Sequence, residues 1–167
     1  MRNQKYQTGF RRLGAAIVDG IVFIPLLLVD QWLISRTENN VILISWSVFA
    51  TFLTLFYSIA GHYKYGQTIG KWVAGVKVID LSESKKLTLG QSILRDSFYI
   101  TIEIIVLLYF IFLILQTGKT DYILNDYKRF SNQPIMWWTF IELISMLTNP
   151  KRRAIHDFLA RSVVIRT

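Results

Sequence analysis

Gly9-Phe-Arg-Arg-Leu-Gly-Ala-Ala-Ile-Val-Asp19-Gly20, followed by an apolar run to about Ile34, decides the fold. Arginines stand at the entrance of this run, and a carboxylate lies inside it. A helix over 13–35, rising about 1.5 Å per residue, reaches roughly 35 Å and can cross a hydrocarbon core of about 30 Å. Asp19 then sits about 10 Å deeper than Arg12 along the axis, below the membrane interface. A carboxylate at the bilayer centre costs about 2.5–3.5 kcal/mol on the insertion scale, so the fold must supply it with partners. Pro25 removes a backbone donor and crowds the carbonyl of Ile21, which predicts a kink just beyond Asp19.

The rest of the chain repeats this pattern. Of 167 residues, 52% are hydrophobic, 14% are aromatic and only 18% are charged, and the charges are segregated between apolar runs. Span two, 41–61, carries no charge at all. Span three, 97–117, contains Glu103, and a shorter apolar run at 134–148 contains Glu142. The first run is too long for a signal-peptide core and no small-residue cleavage site ends it, so it is expected to remain in the mature protein. These runs predict an all-α membrane protein of about four transmembrane helices, organised as one domain over 1–167. Val76-Lys-Val-Ile-Asp80 alternates apolar and polar, as does the neighbourhood of Lys86-Leu-Thr-Leu89, which predicts a short β-hairpin. An amphipathic helix is expected in the basic C-terminal tail.

The net charge of +8 does not point to nucleic acid, because the cations flank apolar runs instead of forming one basic face. With four spans, 15 of the 19 Lys and Arg residues fall on one side of the membrane and 4 on the other. The positive-inside rule then places both termini and the hairpin in the cytoplasm. The chain has no cysteine, which excludes disulfides, thiolate metal sites and cysteine nucleophiles.

Three carboxylates, Asp19, Glu103 and Glu142, lie in apolar runs and are candidate ion or proton sites. Arg12 and Asp19 are nearly two helical turns apart and share a stripe with Ala15 and Ala16, whose small side chains admit a close backbone. Gly66-Gln-Thr-Ile-Gly-Lys71 is not a phosphate loop. Three residues separate the glycines instead of four, and Trp72 stands where Ser or Thr is required. Its glycines read as close-packing positions, with Lys71 near the headgroups. In the tail, Arg153, Asp157 and Arg161 fall at four-residue steps of one helical face. His156 could shuttle protons near neutral pH but makes neither a metal site nor a triad alone. With no nucleophile–base–orienter set, no enzymatic activity, cofactor or metal is expected.

Taken together, these motifs resemble the RDD family of small prokaryotic membrane proteins. The resemblance rests on Arg12-Leu-Gly-Ala-Ala-Ile-Val-Asp19, on Gly66-Gln-Thr-Ile-Gly-Lys71 running into Gly75-Val-Lys-Val-Ile-Asp80, and on Arg153-Ala-Ile-His-Asp157. It assigns Arg12, Asp19 and Asp157 to the name-giving positions, and it implies a multi-pass protein of the bacterial cytoplasmic membrane. Cation/proton exchange is ascribed to some members of that family. Ala160-Arg161 departs from the Ala-Gly of many relatives, and 119–133 matches no family motif.

Two readings follow. One is a cation/proton transporter or transporter subunit using Asp19, with help from Glu103 or Glu142, working as a homo-oligomer or with another membrane protein. The other is a non-transporting scaffold or accessory subunit in which the Arg/Asp cluster is a structural lock. Both place Arg12, Asp19, Lys71, Arg153, His156 and Asp157 in one polar cluster at the side from which span one enters, and both make the lipid bilayer the immediate partner.

Overall fold

The computed structural model describes residues 4–117, 134 and 136–167. The loop expected over 119–133, with its Asp121, Asp126, Lys128 and Arg129, lies outside the described residues. The first apolar run forms two helices, α1 (Gly9–Val22) and α2 (Ile24–Arg36), bent by 45° at Phe23. Pro25 lies in the first turn of α2, where its missing donor costs little. The kink expected from Pro25 is therefore present, and it falls one turn beyond Asp19. Helix α3 (Asn40–Ala60) begins at Asn39, whose side chain accepts from the backbone N–H groups of Val41 and Ile42.

Past α3 the chain widens into a π-helical turn over Gly61–Tyr65, closed by Gly66 in the left-handed region at φ 72°. A Cβ on Gly66 would lie 2.6 Å from the carbonyl oxygen of Val78, so this position requires glycine. The short helix α4 (Ile69–Val73) leads into strand β1 (Val76–Asp80) and then the long helix α5 (Leu89–Thr117). A shorter apolar helix, α6 (Met136–Leu147), precedes a one-turn helix α7 (Ile155–Leu159) and strand β2 (Ser162–Arg166).

Among the described residues, two helical stretches are long and apolar enough to cross a membrane, Asn40–Tyr65 and Leu89–Gln116. The bent pair α1–α2 makes a third if it counts as one span. Four full spans are not found among the described residues. Helix α6 is a turn or more short of a bilayer core, because its residues at about 1.5 Å each cover roughly 18 Å. Leu43 of α3 packs with Phe110 and Ile114 of α5, and Leu33 and Ile34 of α2 lie against them. Trp138 of α6 stacks on Phe98 of α5 at 3.7 Å between ring centroids.

The small sheet departs from the expected hairpin. Strand β1 pairs antiparallel with β2 from the C-terminal tail, Val76 opposite Arg166 and Asp80 opposite Ser162. The segment expected to be its hairpin partner starts a helix instead. Thr88 and Gln91 form a reciprocal cap, Gln91 N–H donating to Thr88 Oγ1 at 3.2 Å and Thr88 N–H to Gln91 Oε1 at 3.0 Å. Leu87 is then free to cover Val76, Val78 and Val164, the buried core of the sheet. The expected amphipathic tail helix shrinks to the single turn α7, because Val163-Val-Ile165 is β-branched and satisfies its backbone on β1. Arg153, Asp157 and Arg161 accordingly do not share a helical face.

One surface cluster ties this cap together. Glu83, in the left-handed region at φ 61°, accepts from Lys5 Nζ at 2.7 Å, Tyr6 Oη at 2.6 Å and Lys151 Nζ at 2.7 Å. Lys151, then Lys5 and Tyr6, hold its carboxyl down at about 2. A depressed carboxyl stabilises the fold above its unfolded value of 4.5, and that contribution is lost as the pH falls toward about 2. Thermal melts of detergent-solubilised protein should therefore decline more steeply between pH 5 and 2 in the wild type than in Glu83→Gln. Equal slopes would mean that Glu83 does not hold Lys5, Tyr6 and Lys151 together.

Candidate functional site: a buried charge cluster at one end of the bundle

Asp19 lies one turn before the kink, and the helix it meets is α4. Its Oδ1 accepts from Tyr57 Oη of α3 at 2.6 Å and from the backbone N–H of Gly70 at 2.8 Å. Its Oδ2 accepts from Thr68 Oγ1 at 2.7 Å. A helix start leaves its first N–H groups without intrahelical partners. Here Ile69 N–H goes to Tyr57 Oη at 2.9 Å, Gly70 N–H to Asp19, and Lys71 N–H to Thr68 Oγ1 at 3.4 Å. Asp19 thus caps α4, and its negative charge sits where the helix dipole favours it. Ala15 is buried against α4, and a Cβ on Gly70 would collide with its carbonyl, which accounts for both small residues. Ala16, on the other side of the stripe, is exposed.

Arg12 does not pair with Asp19. Its Nη1 donates to Asp157 Oδ2 at 2.8 Å and touches Met146 Sδ at 3.3 Å. Asp157 is completely buried and also accepts from Arg95 Nε at 3.2 Å, Ser162 Oγ at 3.2 Å and the backbone N–H of Ala154 at 3.1 Å. Burial alone would raise its carboxyl. The Arg12 guanidinium, then His156 and the Arg95 guanidinium, outweigh burial and hold it well below the usual carboxylate range. Arg153 closes the cluster, donating from Nε to Ser162 O and from Nη2 to Asp157 O, both at 2.9 Å, with its guanidinium over the Phe158 ring.

The centre of the cluster is Arg95, a residue that sequence reasoning passed over. Only 4% of its surface is exposed. Its Nη1 lies 2.8 Å from His62 Nε2 and its Nη2 lies 2.8 Å from His156 Nε2. A guanidinium only donates, so both Nε2 atoms carry lone pairs and both Nδ1 atoms carry hydrogens. His62 Nδ1 donates to Asp96 Oδ2 at 3.2 Å, and Asp96 also accepts from Ser58 Oγ at 2.7 Å. His156 Nδ1 donates to Glu142. The signal in the sequence was Arg95-Asp96, an adjacent charged pair at the mouth of an apolar run, together with His62 at the exit of span two.

Lys71 lies among these groups, with Arg95, Asp19, Asp96 and Arg12 around it. Burial and the nearby Arg95 push its ammonium down to about 8, against the opposing pull of Asp19 and Asp96. It makes no ion pair with any described residue. Arg12 likewise keeps Nε and Nη2 buried without hydrogen-bond partners, each worth about 1–3 kcal/mol of desolvation.

The three candidate carboxylates do not converge. Asp19 caps α4, Glu142 orients His156, and Glu103 lines a separate cavity of about 250 Å³ between α2, α3 and α5. Asp30, Ser47, Thr51 and Thr54 line the same cavity. No group of His, Asp and Glu suited to a metal ion occurs among the described residues.

A family model described as RDD family matches residues 6–127. That match takes in Arg12, Asp19 and the Gly66–Asp80 stretch but stops short of Asp157. No curated protein and no solved structure matches the chain.

Asp157→Asn should lower unfolding stability by about 3–5 kcal/mol, because it strips a buried charge from two guanidiniums. Lys85→Ala, on the exposed surface, should stay within about 0.5 kcal/mol of wild type. Denaturation of the purified protein in detergent checks both, and a mild Asp157→Asn would sink the assignment of this carboxylate as the keystone.

Proposed function

We propose, from the premise that the chain belongs to the RDD family, that it is a non-transporting membrane scaffold or accessory subunit. In this reading Arg12, Asp19 and Asp157 lock a polar cap onto the helix bundle. One observation carries it: both name-giving aspartates have their oxygens filled by donors of the chain itself. Asp19 holds Tyr57, Thr68 and Gly70, and Asp157 holds Arg12, Arg95, Ala154 and Ser162. A carboxylate so occupied is suited to fastening elements, and exchanging a cation there would first require dismantling the start of α4.

The segregation of cations supports a multi-pass arrangement in a bacterial cytoplasmic membrane, with both termini and the cap in the cytoplasm. Helix α6 serves as the fourth, incomplete crossing. The bilayer is the immediate partner, and a second copy or another membrane protein is what a scaffold of this size would hold. No enzymatic role is assigned.

A second reading, cation/proton exchange, is favoured by one observation of its own. Glu103 has no hydrogen-bond or ionic partner among the described residues, and it lines the cavity between α2, α3 and α5. Ser47 and Thr54 donate their hydroxyl hydrogens to the backbone of Leu43 and Thr51, which leaves their oxygens as acceptors beside that cavity. Intramembrane carboxylates facing a cavity mark ion and proton routes. Exchange would then use Glu103 in place of Asp19.

Purified protein in liposomes loaded with a pH dye separates the readings. The scaffold reading expects no cation-driven pH change from wild type and a lowered folded yield for Asp19→Asn. A cation-driven change that Asp19→Asn abolishes at normal folded yield would overturn it. A change that Glu103→Gln abolishes and Asp19→Asn spares would establish the second reading.

A further inference from the structure

A continuous hydrogen-bonded row crosses the cap: Glu142 of α6, His156 of α7, Arg95 of α5, His62 of the π-helical turn, Asp96 of α5 and Ser58 of α3. Its two halves match in pattern, because each imidazole takes an N–H from Arg95 on Nε2 and gives Nδ1–H to a carboxylate. They differ in access. The His62 side chain is 2% exposed, and that of His156 is 12% exposed and sits on a one-turn helix of the tail.

We propose that His156 is a proton-sensitive catch that fastens the tail segment α7–β2 to α5. Adding a proton to His156 Nε2 turns an acceptor into a donor 2.8 Å from the Arg95 N–H that it now receives. The two groups then present hydrogens to each other and both are cations, so the contact opens. The new N–H has a place to go, since Asp157 Oδ1 lies 3.4 Å from His156 Nε2. That oxygen currently accepts from Arg95 Nε and Ser162 Oγ. Protonated His156 therefore competes with Arg95 for the same carboxylate, while Glu142 stabilises the imidazolium from the other nitrogen.

Four charged groups among the described residues bear on His156. Arg95 of α5 opposes the proton. Glu142 of α6 and Asp157 of α7 favour it, and Arg12 of α1 acts through Asp157, where it holds the other oxygen. Asp157 keeps Arg12 and Ala154 throughout, and Gln91 of α5 still donates to Ala160 O at 3.1 Å, so the tail loosens at Arg95 while keeping its ties to α1 and to the start of α5. The catch acts in the cap and is independent of whether a cation crosses at Glu103.

The cysteine-free chain allows a direct test. Leu94→Cys on α5 and Leu159→Cys on α7 are 53% and 54% exposed and accept nitroxide labels, whose separation pulsed electron spin resonance measures in lipid nanodiscs. Expected at pH 8 is one narrow distance, and at pH 5 a second, longer component. His156→Gln keeps an acceptor for Arg95 and a donor for Glu142 but cannot take up the proton, so it should hold the pH 8 distance at both values. Glu142→Gln should move the appearance of the longer component to lower pH. Identical wild-type distributions at pH 8 and 5 would overturn the proposal. So would a pH 5 component that persists in His156→Gln, or one that Glu142→Gln leaves in place.

Discussion

A guanidinium keeps its proton at any pH a protein meets, and it can only donate. Burying Arg95 therefore obliges the fold to surround it with lone pairs. The chain does so with Asp157 Oδ1, His62 Nε2 and His156 Nε2, drawn from the tail and from the turn after α3. Each of those acceptors must then be oriented, which brings in Asp96 and Ser58 on one side and Glu142 on the other. One long side chain on α5 thus fixes the relative positions of α3, the π-helical turn, α6 and α7. The π turn after Ala60 is the place where His62 enters the interior.

The charge balance explains why such a cluster is tolerated. Arg12, Lys71, Arg95 and Arg153 face Asp19, Asp96, Asp157 and Glu142, so no sign dominates. A buried pair of this kind contributes less to net stability than its Coulomb attraction suggests, because desolvation offsets much of the gain. The cost is visible at Arg12, two of whose donors stay unsatisfied, and at Lys71, whose ammonium is pushed down to about 8.

Asp19 solves a more local problem. A short helix such as α4 has few internal hydrogen bonds, so its first N–H groups need partners from outside it. Tyr57 of α3, Asp19 of α1 and the N-cap Thr68 satisfy them, and the small Gly70 lets α4 approach α1 closely enough for this to happen. The carboxylate that looked like a lone intramembrane charge is thus occupied by short-range capping. Glu103, which attracted less notice in the sequence, is the one left beside a cavity.

Much of this was legible in the chain. The charge-free run over 41–61, the kink at Pro25 and the small residues at Ala15 and Gly70 each follow from a local rule of hydropathy, backbone chemistry or size. Segregated cations also placed Arg12 and the Arg153–Asp157 motif at the same end of the bundle, although 145 residues separate Arg12 from Asp157. The strand partner was not legible. Thr88-Leu-Gly-Gln91 carried a helix-start signal that competed with the apparent hairpin, and Val163-Val-Ile165 carried strand propensity, but propensity does not say which edge a strand will join. Nor could the sequence show that Arg95 is the hub or that Asp19, Glu103 and Glu142 have three separate neighbourhoods. Apolar periodicity determines which segments leave water, because that is set by each residue alone. Which donor meets which acceptor is decided only when helices pack, since a buried polar group takes whatever partner the tertiary fold brings within about 3 Å.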